Sequence, residues 1–190
     1  MYTYNSTIQD RIRQVMQESL NSHPRVSIFR FDLRYPKEML IVDDSSSDIS
    51  TFRDLLYKRI QRYVQKKSND WNRSLDSTFK YTWVREYGSI NKRRHYHVLL
   101  FLNKDIFYTF GNFYLEESTV ASMIRDSWNS AIHNLDYFQS TVNFGKACYI
   151  SKNDVNFALN SENILEYADY LAKDRDKRHN DGYRNFGSSI

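Results

Sequence analysis

A single cysteine, Cys148, stands among the 190 residues, so no intramolecular disulfide and no multi-cysteine zinc cluster can form. That usage fits a reducing compartment, and a soluble, cytoplasmic protein is expected. Glycine is scarce too, at five residues. So few exclude Gly-rich phosphate cradles: Gly145-Lys146 has neither the upstream glycine nor the following Ser or Thr of a Walker motif. A long apolar run is also missing. Nothing approaches the roughly 18 uncharged apolar residues of a membrane span. Met1 to Asp10 is polar where a signal peptide needs an apolar stretch, so no membrane partner is expected.

What is present suits a folded core, with 41% hydrophobic, 16% aromatic and 26% charged residues. At this length one domain is expected. Lys and Arg number 27 against 23 Asp and Glu, a net charge of +4. This mild excess admits a nucleic-acid partner without requiring one.

Periodicity divides the chain. Asn5 or Ser6 can cap a first helix whose residues Ile8, Ile12, Val15, Met16 and Leu20 recur at helical spacing until His23-Pro24. Arg25 to Leu33 reads as a strand, stopped near Pro36. Asp43 to Asp48 reads as a solvated loop, and Ser50 as the cap of a second helix carrying Phe52, Leu55, Leu56, Ile60, Tyr63 and Val64. Phe79 to Tyr87 and His95 to Leu102 form a hairpin around the basic turn Gly88 to Arg94. Ser118 opens a third helix bearing Val120, Met123, Ile124, Ala131, Ile132 and Leu135. Thr141 to Ser151 is a further strand, and Ser161 caps a fourth helix reaching Lys173. The fold class is therefore α+β, a central antiparallel sheet flanked by helices. Residues 1–23 hold the N-terminal helix, 25–175 the core and 176–190 a basic tail.

The chemistry concentrates on the hairpin. A period of two puts His95 and His97 on one strand face, where they can share a metal. Glu86, near the end of the preceding strand, can lie opposite His95, but a slip of one residue would turn it away, so the register stays open. Two imidazoles and a carboxylate leave positions for substrate oxygens, and oxygen-rich substrates favour Mg²⁺ or Mn²⁺. On the fourth helix Ile164, Leu165, Ala168 and Leu171 form the buried arc. Tyr167 lies on its margin, and Tyr170 and Lys173 lie together on the far flank.

An acidic residue and His-hydrophobic-His on paired strands, followed by Tyr-x-x-Lys on a helix, resembles the HUH endonucleases that initiate rolling-circle replication. Arg30-Phe31-Asp32-Leu33-Arg34-Tyr35-Pro36, Trp83-Val84-Arg85-Glu86, Arg94-His95-Tyr96-His97-Val98-Leu99-Leu100, Tyr170-Leu171-Ala172-Lys173 and Arg184-Asn185-Phe186-Gly187 narrow it. They are similar to the inovirus-type replication proteins, the YagK/YfjJ C-terminal domain family of phages and prophages. The resemblance implies a Rep-like sheet with a ferredoxin-like palm, a divalent metal on His95, His97 and Glu86, and Tyr170 cutting single-stranded DNA beside Lys173. Tyr167 precedes Tyr170 by three positions where two-tyrosine initiators use four, so its part as an alternative nucleophile stays open. The expected partners are single-stranded origin DNA, with a host helicase and polymerase. The DNA backbone is expected on Lys92, Arg93 and Arg94 of the turn and on Arg175, Lys177 and Arg178 of the tail. Two rivals are a non-catalytic origin-binding protein and a non-haem iron oxygenase, whose iron also takes two histidines and a carboxylate. The oxygenase gives Tyr170 and Lys173 no role.

Overall fold

Alternation along two strands builds the centre of the molecule. In β1 (Arg25–Arg34) Phe29, Phe31 and Leu33 point to one side of the sheet, as do Tyr96, Val98, Leu100 and Leu102 of β3 (Arg94–Asn103). Val26 and Ile28 of β1, with Leu99 and Phe101 of β3, point to the other. Both faces are buried, so these two strands lie centrally and read as nearly continuous apolar runs. In the computed structural model, which describes residues 4–37, 39, 47–88, 92–111, 119–134, 141–173, 177–178 and 180–189, β2 (Lys80–Tyr87), β4 (Val142–Ser151) and β5 (Phe186–Ser188) complete the sheet. Its order is β4-β1-β3-β2-β5, and every neighbouring pair is antiparallel. The α+β class with flanking helices holds.

The helices divide between the faces. Against the first lie α2 (Ser47–Asp70), through Ile49, Phe52, Leu56 and Ile60, and α3 (Val120–Ala131), through Ile124 and Trp128. Against the second lie α1 (Ser6–Ser22), through Ile8, Ile12 and Val15, and α4 (Phe157–Asp169), through Ile164 and Ala168. Among the described residues no helix is long and apolar enough to cross a membrane.

Element ends differ from the sequence reading where tertiary partners intervene. Asn5 caps α1, its side chain accepting the Ile8 N–H at 3.2 Å. α2 begins at Ser47, not after Ser50. Asp48 sits in its first turn, where a carboxylate complements the helix dipole, and it accepts hydrogen bonds from the Tyr35 hydroxyl at 2.7 Å and the Arg94 guanidinium at 3.1 Å. Thr119 caps α3 through a reciprocal bond pair with Ser122. Ser118 and Leu135 lie outside the described residues. α4 starts at Phe157, four residues before Ser161, and its last turn tightens to a 3₁₀ turn over Tyr170–Ala172. The segment read as a basic tail contributes β5. The buried Arg85 guanidinium holds its approach, donating to Asp181 at 2.7 and 2.9 Å and to Asn185 Oδ1 at 2.9 Å. Gly187 then passes so close to Trp83 that an added Cβ would lie 2.4 Å from the indole.

Candidate active site

The register left open by the sequence is resolved by the hairpin ladder, in which Glu86 pairs with His95 and Val84 with His97. Glu86, His95 and His97 therefore share the face covered by α1 and α4, and one ligand atom from each lies within 4.8 Å of the others. Glu86 Oε2 is 3.1 Å from His97 Nε2 and 3.9 Å from His95 Nε2. On the other side, β1 places Asp32 opposite His97, and Asp32 Oδ1 lies 2.6 Å from His97 Nδ1. Arg34 Nη2 at 3.6 Å and Asn143 Nδ2 at 3.5 Å stand at the second oxygen of Asp32.

Electrostatics follow from this packing. Burial works against charge on His97, but hydrogen bonds to Asp32 and Glu86 outweigh it and push the imidazole up to about 9. Burial and the His97 charge both push His95 below its ordinary value. Burial alone would raise Asp32 and Glu86. The hydrogen bond and charge of His97 win at both, aided by Arg30 and Arg34 at Asp32 and by Lys177 at Glu86, and hold both carboxyls below the usual range.

Tyr170 sits over this cluster. Its ring centroid is 6.2 Å from that of His97 at 89°, edge to face, and the residue is 47% exposed. Lys173 Nζ lies 3.7 Å from the centre of the Tyr170 ring. Tyr170 and Lys173 thus lie together, as the helical wheel has them, although Tyr170 belongs to a 3₁₀ turn. Arg30, for which the sequence predicts no role, extends from β1 beneath both tyrosines, its Cζ 4.7 Å from the Tyr167 ring and 5.1 Å from the Tyr170 ring. A bulge sets this up: Gly145 and Lys146 of β4 together oppose Arg30. A Cβ at Gly145 would come within 3.0 Å of the Tyr167 hydroxyl, so Tyr167 rests against β4 while Tyr170 faces the cluster.

Three of the cations expected on DNA are engaged within the protein. Arg94 is 2% exposed and spends its guanidinium on Tyr35 at 2.5 Å and Asp48 at 3.1 Å. Arg93 donates to the carbonyls of Pro36, Lys37 and Met39, tying the end of β1 to the hairpin. The Lys177 side chain is 1% exposed and donates to Glu86 Oε1 at 2.9 Å. In each case oxygens of the protein take up the cation's donors. Lys92 and Arg178 are exposed, Arg178 lying over the Tyr87 ring at 3.8 Å. Arg175 lies outside the described residues.

A model of the YagK/YfjJ C-terminal domain matches residues 3–189. The chain belongs to that family. It is 36% identical to "Uncharacterized protein YfjJ" of Escherichia coli (strain K12), over 97% of this chain and 94% of that protein. To "Uncharacterized protein YagK" of the same strain it is 30% identical, over 100% of this chain and 98% of that protein. No solved structure matches. Four of the five segments that carry the resemblance to the YagK/YfjJ family bring residues to the site: β1 brings Arg30 and Asp32, β2 Glu86, β3 His95 and His97, and the 3₁₀ turn Tyr170.

Proposed function

We propose that this YagK/YfjJ family member nicks and rejoins single-stranded DNA through a tyrosine nucleophile, as an HUH-type initiator of rolling-circle replication. The observation that carries the reading is Tyr170, half exposed, its ring packed edge to face on His97 above a buried Glu86/His95/His97 cluster.

The donor set fits a hard divalent cation, Mg²⁺ or Mn²⁺. The 3.1 Å between His97 Nε2 and Glu86 Oε2 is close to the about 3 Å between adjacent ligands on an octahedral ion with bonds of about 2.1 Å. The bond between His97 Nδ1 and Asp32 leaves Nε2 as the ligating nitrogen, the usual arrangement of a metal-binding histidine. Bound on His95, His97 and Glu86, the ion supplies positive charge to a phosphodiester oxygen.

The remaining chemistry belongs to the chain. Tyr170 Oη attacks phosphorus, the new O–P bond replaces the bond to the 3′ oxygen, the phenolic proton passes to solvent, and the departing 3′ oxygen takes up a proton. Lys173 and Arg30 balance the charge gathering around the phenol and the phosphoryl group. The 5′-phosphotyrosine keeps the phosphodiester's energy, so attack by a 3′-hydroxyl rejoins a strand. In this role the partners are origin DNA and a host helicase and polymerase that extend the free 3′ end.

Incubation of the native protein and Tyr170→Phe with a single-stranded oligonucleotide library and Mn²⁺ tests the reading. Denaturation-resistant protein-DNA adducts are expected from the native protein alone. Oligonucleotide binding without any adduct would support the non-catalytic alternative instead.

A further inference from the structure

Lys177 takes no part in the steps above, yet its side chain is enclosed at the site. Its side chain is 1% exposed, and the ammonium donates to Glu86 Oε1 at 2.9 Å, to the Leu171 carbonyl at 3.2 Å and to the Lys173 carbonyl. An ammonium carries three donors, and here three oxygens receive them. We infer that Lys177 is a positioning residue, a buried link that locks the turn carrying Tyr170 to the carboxylate of Glu86. The inference rests on the proposed nickase reading and deepens it.

Each end of the link solves a local problem. With Oε1 engaged by Lys177, the carboxylate of Glu86 has one oxygen committed, and Oε2 is the one turned to His97 and His95. At the other end, a helix terminus leaves carbonyls without intrahelical partners. Those of Leu171 and Lys173 are met by Lys177, and that of Ala172 by the Asn5 N–H at 2.7 Å. The turn after Tyr170 is thus pinned from both sides, and one pin ends on a proposed metal ligand. A phosphate could reach this ammonium only by displacing Glu86, which separates Lys177 from exposed cations such as Lys92.

Lys177→Met keeps much of the stem and removes the charge, and Lys177→Arg keeps a charge whose planar fork suits three converging oxygens poorly. Four readouts are taken: Mn²⁺ affinity by calorimetry, amide exchange over residues 170–173 without metal, single-turnover adduct formation at saturating oligonucleotide, and the salt dependence of oligonucleotide binding. For Lys177→Met, Mn²⁺ affinity and adduct rate are expected to fall about 10- to 100-fold, the range for lost outer-shell partners. Exchange should quicken in the turn, and the salt slope should stay native. A folded Lys177→Met with native Mn²⁺ affinity and native exchange overturns the inference, and so does a flattened salt slope, which would make Lys177 a DNA contact. If Lys177→Met does not fold, Lys177→Arg carries the same comparison with smaller changes in the same directions. A native protein that binds Mn²⁺ but forms no adduct overturns the nickase reading, and the affinity and exchange readouts then decide Lys177 separately.

Discussion

Asp32 Oδ1 lies 2.6 Å from His97 Nδ1, and this contact assigns the two nitrogens of the ring to different partners. Nδ1 donates to Asp32, so Nε2 faces Glu86 as the nitrogen able to hold a metal. Asp32→Asn removes the charge but little of the volume. It is expected to weaken Mn²⁺ binding about 10- to 100-fold, as loss of such a partner usually does. Calorimetry checks this, and native affinity in the variant would confine Asp32 to a structural role.

Tyr170 and Tyr167 are expected to part company on substitution. Tyr170→Phe deletes only the hydroxyl of a half-exposed residue, so fold and DNA binding survive while adduct formation stops. Tyr167→Phe leaves first cleavage largely intact and costs less than about 1 kcal/mol of stability, because among the described residues the Tyr167 hydroxyl makes no hydrogen bond and the stacking on Arg30 remains. Adduct yields and urea midpoints measured on both variants separate the two roles.

Arg94 and Lys92 lie two positions apart and should behave as opposites. Arg94→Ala removes a buried guanidinium that bonds Tyr35 and the half-buried Asp48, and is expected to cost about 3 kcal/mol of stability, read from urea unfolding. Lys92→Ala should leave the urea midpoint unchanged and reduce the salt slope of oligonucleotide binding by about one. A native urea midpoint for Arg94→Ala would contradict the structural assignment.

His23 supplies a pH signature away from the site. Its Nε2 accepts the Thr78 N–H at 2.9 Å, which requires the neutral ring, and burial lowers its pKa, with Asp76 and Asp105 opposing only in part. The unfolded histidine takes a proton near pH 6.5 and the folded one only at lower pH. Between those points the unfolded chain binds more protons, so this contribution is full above about pH 6.5 and is lost as pH falls toward the folded value. His23→Gln keeps an acceptor without titrating. Native stability relative to that variant should therefore fall between about pH 7.5 and pH 5, and a constant difference in urea unfolding free energy would contradict the assignment.

How much of this is legible in the sequence depends on the range of the contact. The pairing of His95 with His97 follows from alternation within one strand, and Glu86 is reachable because a hairpin joins neighbouring strands. Asp32 is different: its role exists only once β1 is known to lie beside β3, and strand order is not written locally. The available signal is an acid flanked at alternate positions by Arg30 and Arg34 within an otherwise apolar strand. Engaged and free cations look alike in a basic turn or tail, so Arg93, Arg94 and Lys177 read as DNA contacts until their oxygen partners in the protein are seen. β5 is three residues long and holds its place through Arg85, far away in sequence. A strand that short carries no periodicity to detect.

Peptide mapping of a trapped protein-DNA adduct tests the central claim most directly. After incubation with single-stranded oligonucleotides and Mn²⁺, proteolysis and mass spectrometry should find a phosphonucleotide on the peptide containing Tyr170, absent from Tyr170→Phe and lost from the Asp32→Asn and His97→Ala variants in step with their Mn²⁺ affinity. A modification on Tyr167 in the native protein would reassign the nucleophile, and DNA cleavage with no modified tyrosine would contradict the account.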